Sequence, residues 1–194
     1  MDIYFKEITI VLASYLLGSF SFGYYLVLFK TGEDIRLLGS YNVGAKNVGR
    51  FLGKTWFIVT LFVDVVKGAI PVIICKLIGL DLWLISIVMV AVVLGHIWPM
   101  QLRFHGGKGF ATTFGGLVIF DIWLVVVLGL IGLICWRVTS NLTLSGILSL
   151  VLMPLIAFTL GHKGMTIWSI LLLMILVLLA HRNNLKELLK RKQE

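Results

Sequence analysis

Long runs of apolar residues alternate along the chain with short polar segments, and this alternation is its most prominent feature. The runs approach or exceed the roughly 20 residues that a helix needs to cross a bilayer. The pattern predicts an all-α, polytopic membrane protein with seven transmembrane helices and short cytoplasmic or re-entrant polar loops. The predicted spans cover about 8–29, 56–77, 82–98, 107–120, 122–137, 144–160 and 165–180.

Several of these spans contain residues that interrupt a helix or favour close packing. Asp121, with Gly115 and Gly116 upstream, predicts a break that divides this region into a short fourth span and a fifth. Pro154 predicts a kink in the sixth span. In the first span, the small residues of segment 18–23 favour close helix packing, although its two serines could also line a polar cavity.

The second span carries two charged residues, Asp64 and Lys67. Charged side chains inside a span seldom face lipid, and a separation of three residues places these two on one helix face, where they can pair. Two compatible interpretations stay open. The residues form a neutralised structural pair, or they brace the polar loop that precedes the span.

Composition agrees with a membrane protein. Of the 194 residues, 59% are hydrophobic, and the mean hydropathy is +1.03, which excludes an ordinary soluble domain. We expect residues 1–194 to form a single integral-membrane domain, without a cleaved signal peptide. Cys75 and Cys135 lie in apolar runs without the spacing of a metal site, which predicts neither a disulfide nor a zinc site.

Basic residues predict the orientation of the chain. The formal net charge is +8, from 17 Lys and Arg against 9 Asp and Glu. With seven spans and the N-terminus outside, the basic residues on the cytoplasmic side are Lys30, Arg36, Lys46, Arg50, Lys54, Arg103, Lys108, Arg137, Arg182, Lys186, Lys190, Arg191 and Lys192. Those outside are Lys6, Lys76 and Lys163. This asymmetry follows the positive-inside rule, so the charge reports topology and anionic lipid headgroups and does not indicate nucleic acid.

The polar segment 39–50 lies between the first two spans. Ser40 and Asn42 are favourable N-cap residues, which predicts a helix that begins near them. In such a helix Ser40, Gly44, Asn47 and Arg50 share one face beside the N-terminus, which suits a phosphate group. The alternative interpretation is a cytoplasmic loop of turn residues whose charges only set topology.

A second polar segment surrounds Lys108. Gly106, Gly107 and Gly109 flank this lysine, and His96 precedes them at the end of the third span. Glycines allow successive N–H groups to turn toward an anion, and Lys108 would add its charge. The spacing is not that of a P-loop, and no strand precedes it. The segment therefore predicts a second anion-binding element.

Two further polar segments fall on the same predicted side of the membrane, a hydroxyl-rich hinge at 139–145 and the segment 181–184. Together, the four segments supply hydroxyl, amide, imidazole and cationic groups with very few carboxylates. We therefore expect no metal ion and no cofactor. The set suits a phosphate receptor, either a transporter of a small phosphorylated anion or an enzyme that acts on a phosphorylated substrate and a lipid. The one-sided distribution and the absence of a clear internal repeat favour the enzyme.

The motifs in order are Gly39-Ser40-Tyr41-Asn42-Val43-Gly44-Ala45-Lys46-Asn47 with Arg50, Asp64-Val65-Val66-Lys67-Gly68, Gly95-His96-Ile97-Trp98-Pro99, Gly106-Gly107-Lys108-Gly109-Phe110-Ala111-Thr112 and His181-Arg182-Asn183-Asn184. In order and spacing they resemble the bacterial acyl-phosphate:glycerol-3-phosphate acyltransferase family along nearly the whole chain. The family usually has Gly where this chain has Tyr41, and Thr where it has Lys46.

The resemblance implies a seven-span enzyme of the bacterial inner (plasma) membrane with its N-terminus outside and its active site facing the cytoplasm. Its substrates would be glycerol 3-phosphate and acyl phosphate, with lysophosphatidic acid and inorganic phosphate as products. Acyl-CoA would not serve as donor, and membrane lipids would surround the enzyme. Neither the sequence nor the resemblance predicts an oligomeric state.

The resemblance also implies roles for individual residues. The implied catalytic residues are Ser40, Arg50, Lys108, Thr143 and His181, where Thr143 aligns with a family serine and Ser140 and Ser145 lie near. The implied substrate-binding residues are Asn42, Gly44, Asn47, His96, Gly106, Gly107, Gly109 and Asn184. Because no Ser-His-Asp triad is evident, we expect direct attack by the glycerol hydroxyl. Either a substrate phosphate or His181 would assist removal of its proton.

Overall fold

The computed structural model describes residues 2–184, so the basic residues Lys186, Lys190, Arg191 and Lys192 lie outside the described part of the chain. Within it the chain folds entirely into helices and connecting loops, as the sequence predicts. The α-helices are α1 Asp2–Ser19, α2 Phe22–Thr31, α3 Ala45–Leu52, α4 Lys54–Leu77, α5 Leu82–Ile97, α6 Phe110–Phe120, α7 Ile122–Thr139, α8 Leu142–Val151, α9 Met153–Thr159 and α10 Met165–Ala180. Short 3-10 turns cover Ile35–Leu37 and Met100–Leu102.

The apolar runs of the sequence coincide with the longer helices. Among residues 2–184, four helical segments are long and apolar enough to cross a membrane, and the bent pair α8–α9 would make a fifth. Two shorter apolar helices, α6 and α10, occupy the remaining predicted spans. The prediction of a helical protein with several apolar helices is confirmed, and seven crossings stay a prediction.

Two of the predicted spans, the first and the sixth, are interrupted. The first divides at Phe20, between α1 and α2, although the sequence predicted a continuous helix there. The expected break at Asp121 is confirmed, and the Asp121 carboxylate caps α7 by accepting the N–H groups of Trp123 and Leu124 at 2.9 and 3.2 Å. The sixth span bends by 45° between α8 and α9, just before Pro154, where a kink was predicted.

Helix α5 lies at the centre of the bundle. Its apolar residues cover its whole circumference, which is the pattern of a helix surrounded by other helices. Val88 and Val92 of α5 are fully buried, together with Met153 of α9 and Ile170 and Leu173 of α10. This core fixes the end of α5, which leads directly into the glycine-rich segment around Lys108.

Two pairs of helices cross at glycines with the same geometry. A Cβ atom on Gly18 of α1 would lie 2.0 Å from Val92 O of α5, and one on Gly95 of α5 would lie 2.0 Å from Tyr15 O of α1. The α4–α6 pair repeats this arrangement. A Cβ atom on Gly68 would lie 2.0 Å from Thr112 O, and one on Gly115 would lie 1.9 Å from Val65 O. Only glycine permits such close approach of two backbones, so the close packing expected of the small residues in segment 18–23 is confirmed at Gly18.

The polar segments lie at one end of the bundle, which we call the loop end. It comprises the α2–α3 loop, the α5–α6 segment, the α7–α8 hinge and the residues after α10. Contacts described below join the α2–α3 loop to the α5–α6 segment, and that segment to the residues after α10. The opposite end consists of shorter connections, among them the α4–α5 turn, the α6–α7 break and the α9–α10 turn.

Candidate active site

The side chain of Asn47 organises the α2–α3 loop. It is completely buried, and its Oδ1 accepts the Ser40 N–H at 3.0 Å. Its Nδ2 donates to Leu38 O at 2.9 Å and to Asn42 O at 3.0 Å. Because the loop already uses this amide, any contribution of Asn47 to substrate binding is indirect.

Helix α3 begins later than the sequence predicted. Gly44 is its N-cap residue, so the prediction that Ser40 or Asn42 caps the helix is wrong. The Asn47 amide keeps the preceding segment in a loop by binding its backbone, and Ser40 therefore lies outside the helix. Of the four residues expected on one helix face, only Asn47 and Arg50 lie within α3. Arg50 is exposed in its last turn.

The loop contains two turn positions with left-handed backbone, one on each side of Ser40. Gly39 has φ of 56° and Tyr41 has φ of 54°, with Ser40 exposed between them. Left-handed backbone costs a residue with a side chain roughly 1–2 kcal/mol, whereas glycine adopts it freely. This requirement gives a physical reason for the glycine that the related family has at the position of Tyr41.

Arg36 ties the α2–α3 loop to the α5–α6 segment. Its Nη1 donates to Leu102 O at 2.8 Å, and its Nη2 lies 2.6 Å from Asp34 Oδ2. The hydrogen bond from the guanidinium is the main reason why the pKa of Asp34 lies below its ordinary value. The sequence analysis missed this bridge, because the only local signal is the proximity of an acid and a base, while Leu102 is 66 residues away.

The glycine-rich segment is folded back on the end of α5. Gly106 N–H donates to Ile97 O at 3.0 Å, and Gly107 N–H donates to His96 O at 2.9 Å. The prediction that these two N–H groups face an anion is therefore wrong, because the backbone of α5 accepts both. Gly109 has φ of 79° and is the N-cap residue of α6, so the first N–H groups of α6 and the Lys108 side chain are the donors that remain at this position for the predicted anion.

Lys108 lies beside the C-terminal segment, as the convergence of the polar motifs predicts. Its Nζ donates a hydrogen bond to Asn184 Oδ1, a residue 76 positions later in the chain. His181 lies one turn before Asn184 and packs its ring edge-to-face on Phe110, with 6.5 Å between the ring centroids. Phe110 is the first residue of α6, and no role was predicted for it because its ring meets His181, a residue 71 positions later in the chain.

The imidazole of His181 is buried, and its tautomer follows from its hydrogen bond. Its Nδ1 lies 2.8 Å from Val177 O. A carbonyl oxygen only accepts, so Nδ1 carries the proton and Nε2 of the neutral ring keeps a lone pair. Burial lowers the pKa of His181 below its ordinary value, and the nearby positive charge of Lys108 lowers it further. The residue is therefore neutral at pH 7 and has the electronic form of a base.

His96 lies beneath the glycine-rich segment and not within it. It is buried, and its Nδ1 is 3.6 Å from Asp64 Oδ1, while Lys67 Nζ is 3.0 Å from the same oxygen. The Asp64–Lys67 pairing expected from the sequence is confirmed. A direct contact of His96 with substrate stays a prediction, and its surroundings suggest a role through the neighbouring backbone.

The hinge between α7 and α8 uses two of its four hydroxyls internally, those of Thr139 and Ser145. Ser145 Oγ donates to Asn141 O at 2.8 Å and lies 3.0 Å from Thr139 Oγ1. Ser140 is exposed with left-handed backbone, and Thr143 is half-buried in the first turn of α8. Of the three hydroxyls considered from the sequence, Ser145 is therefore committed to the hinge itself.

The structure thus joins Lys108 to Asn184 by a hydrogen bond and packs His181 on Phe110, two residues after Lys108. Arg36 links the α2–α3 loop to the α5–α6 segment that carries Lys108. Among residues 2–184, no group of three or more His, Cys, Asp or Glu side chains could hold a metal ion. Cys75 and Cys135 are both free thiols.

Comparisons with known proteins identify similar chains. The family model described as glycerol-3-phosphate acyltransferase matches residues 8–191. Glycerol-3-phosphate acyltransferase 1 of Desulfitobacterium hafniense (strain Y51) is 36% identical over 188 residues, which cover 97% of this chain and 93% of that protein. Glycerol-3-phosphate acyltransferase of Aquifex aeolicus (strain VF5) is 35% identical over 198 residues, with 97% and 98% covered.

Two solved structures share the fold. Both are crystal structures of PlsY (YgiH), described as an integral membrane glycerol 3-phosphate acyltransferase. The glycerol 3-phosphate form has a TM-score of 0.87 and 33% identity, and covers 95% of this chain and 92% of that chain. The lysophosphatidic acid form has a TM-score of 0.84 and 32% identity, with the same coverage.

Proposed function

We propose that this chain, which belongs to the glycerol-3-phosphate acyltransferase family, transfers a fatty acyl group from acyl phosphate to glycerol 3-phosphate. It is an enzyme of phospholipid synthesis, and its product is lysophosphatidic acid. One observation carries the assignment of the site. The hydrogen bond between Lys108 and Asn184 unites two motifs that lie 76 residues apart, at the end of the bundle where the other polar segments also lie.

The reaction needs alignment more than it needs activation, because acyl phosphate already carries a good leaving group. The glycerol hydroxyl oxygen attacks the acyl carbonyl carbon, the bond between that carbon and the phosphate oxygen breaks, and inorganic phosphate leaves with the electron pair. Two phosphate groups must be bound close together for this geometry. Lys108 and Arg50 supply cationic groups for them, and the first N–H groups of α6 supply a helix N-terminus.

The remaining site residues orient the acceptor. Asn184 and His181 face Lys108 from the end of α10, where they contact the glycerol moiety. Ser40 and Thr143 supply hydroxyls from two other segments of the loop end, and Gly44 and Asn42 shape the loop that holds Ser40. The proton of the attacking hydroxyl passes to a substrate phosphate or to Nε2 of His181, whose neutral tautomer has a lone pair there.

The loop end faces the cytoplasm in this proposal. The basic residues at the loop end greatly outnumber those at the opposite end, which supports seven spans with the N-terminus outside the bacterial plasma membrane. Single cysteines at Lys46 and at Lys163, in a protein without Cys75 and Cys135, would test this topology. A membrane-impermeant thiol reagent applied to intact cells should label position 163 only, and labelling of position 46 would reverse the orientation.

The activity itself is tested with purified protein in detergent. Labelled glycerol 3-phosphate is supplied with acyl phosphate in one reaction and with acyl-CoA in another. Lysophosphatidic acid should form with acyl phosphate alone. Formation with acyl-CoA alone would overturn the donor assignment. Uptake of glycerol 3-phosphate into sealed vesicles without formation of lipid would favour the transporter.

A further inference from the structure

Three buried polar side chains lie beneath the loop end, and none of them has a role in the mechanism described above. Lys67 Nζ is 3.0 Å and His96 Nδ1 is 3.6 Å from the same oxygen of Asp64. The side chains are only 4–6% exposed. Ionic groups inside a membrane bundle are costly, and a buried ion pair can often be replaced by apolar residues without loss of stability. Their presence here therefore needs a further reason.

Lys67 holds the break in the first span. Its Nζ donates to Phe20 O at 2.9 Å, at the point where α1 ends and α2 has not begun. A carbonyl that lacks a helical partner at membrane depth must find another donor. The position of α2 determines that of the Ser40 loop, because a Cβ atom on Gly23 of α2 would lie 2.2 Å from Val43 O. Lys67 thus fixes the start of α2, against which this loop packs.

His96 supports the segment that carries Lys108. Its ring lies directly against Gly107, since a Cβ atom there would be 2.0 Å from His96 Nε2. The Gly107 N–H also donates to His96 O at 2.9 Å. Gly107 is the residue immediately before Lys108. A displacement of the His96 ring would therefore move the backbone of Lys108.

We propose that Asp64, Lys67 and His96 form a positioning cluster that holds the Ser40 loop and Lys108 in register. This inference rests on the proposed function. Asp64 pairs with Lys67, and the same carboxylate oxygen lies 3.6 Å from His96 Nδ1, so the donor to the Phe20 carbonyl and the ring packed on Gly107 both lie against one carboxylate. In this role the three residues act through the backbone, so they are positioning residues. Their loss should lower turnover while the bundle stays folded.

The test uses a variant that removes both charges together. Asp64→Asn/Lys67→Met leaves no unpaired charge in the bundle, so we expect monodisperse, folded protein in detergent. Its unfolding midpoint should be lower than that of wild type only by the loss of the donor to Phe20 O. Turnover per folded molecule should fall by about tenfold or more, because small misplacements of aligned groups are costly in rate. Lys67→Arg keeps a cationic donor near Phe20 O and should retain more turnover than the double variant.

The matched control is Lys76→Met/Asp121→Asn, which makes the same substitutions in a lysine and an aspartate at the opposite end. It should keep wild-type turnover. Equal turnover of the Asp64→Asn/Lys67→Met variant and wild type, per folded molecule, would overturn the inference. So would a decrease of equal size in the control, because the loss would then have no special relation to the loop end. A wild-type protein that is inactive with acyl phosphate would instead overturn the proposed function.

Discussion

The two ends of the bundle contain clusters built from the same chemical groups. In each, an aspartate faces a histidine, and a lysine donates to a phenylalanine carbonyl where a helix is interrupted. The loop-end cluster consists of Asp64, His96, Lys67 and Phe20, and the opposite cluster consists of Asp121, His162, Lys76 and Phe120. The lysine–carbonyl distances are 2.9 Å and 3.0 Å, respectively.

The clusters differ in burial and in what they hold. At the opposite end, the side chains of Asp121 and His162 are 17% and 13% exposed and lie 2.8 Å apart, and Asp121 also caps α7. At the loop end the aspartate pairs with the lysine itself, and the elements on both sides lead to predicted site residues. Ionic groups at a helix break therefore do not by themselves mark an active site. The two clusters differ in the segments that they hold, and only the loop-end cluster holds segments with predicted site residues.

The largest contrast between the two ends should come from their lysines. Lys108→Ala removes a cationic contact with phosphate, and we expect turnover to fall about 100-fold or more, equivalent to about 3 kcal/mol of transition-state stabilisation. Lys76→Ala removes the donor to Phe120 O but should leave turnover unchanged. Initial rates of lysophosphatidic acid formation per folded molecule give the comparison.

Lys108→Arg distinguishes a phosphate contact from a charge that only sets topology. The planar guanidinium does not reproduce the point charge of an ammonium, so this variant should recover only part of the activity. Near-normal turnover of Lys108→Arg, together with loss of expression or orientation in Lys108→Ala, would assign Lys108 to topology alone.

A second contrast concerns the close α4–α6 crossing beside Lys67. In Gly68→Ala the new methyl group would lie 2.0 Å from Thr112 O, a backbone atom, so the two helices must separate. We expect a loss of about 2 kcal/mol in the free energy of unfolding. Gly129→Ala in α7 is the control, because no atom lies within 4 Å of the added Cβ. Thermal unfolding in detergent should show a lower midpoint for the first variant only.

Much of the helical fold could be predicted from the apolar runs of the sequence. Apolar runs report where a helix can meet lipid or other helices, so the run predicted at about 56–77 became α4, Lys54–Leu77. Asp121 also predicted its break, because a charged residue between apolar runs favours a helix end. The division at Phe20 could not be predicted, since its carbonyl is satisfied by Lys67, 47 residues away.

The candidate site was predictable in its composition but less so in its local geometry. Lys108 and Asn184 were grouped by their common side of the membrane, and the structure joins them. The predicted start of α3 was wrong because the Asn47 side chain binds the backbone of the preceding loop. Helix and capping propensities do not include such a contact. Likewise, the Gly106 N–H donates to Ile97 O at the end of α5, nine residues earlier in the chain.

A smaller contrast concerns the histidines at the two ends of α10. His181 follows α10 at the loop end, and His162 precedes it at the opposite end. If His181 is the base, His181→Gln should lower turnover about tenfold, equivalent to about 1.4 kcal/mol. Because the pKa of His181 is lowered, its imidazole is neutral above pH 6.5, the approximate ordinary pKa of histidine. The imidazole becomes protonated only at more acidic pH. The wild-type rate should therefore decline below about pH 6.5, and this decline should be absent in the variant.

A retained acidic decline in His181→Gln would assign the proton to a substrate phosphate, whose second pKa is about 6. His162→Gln at the opposite end is the matched control and should keep both the rate and its pH dependence. Rates measured at saturating concentrations of both substrates separate this effect from a change in binding.

The smallest effect should come from Asp121, and it should appear in stability alone. Asp121→Ala removes the cap of α7 and the partner of His162, so we expect a loss of about 1 kcal/mol with unchanged turnover. Desolvation by burial raises the pKa of Asp121. The hydrogen bond from His162 and those from the first N–H groups of α7 lower it by more, so the net shift of the pKa is downward. Its stabilising contribution is thus complete above the unfolded value of about 4 and is lost as the pH falls through the lower folded value. The difference in unfolding midpoint between wild type and Asp121→Ala should accordingly be constant from pH 6 to pH 8 and shrink in acid, whereas a fall in turnover at neutral pH would show that the opposite end also positions the site.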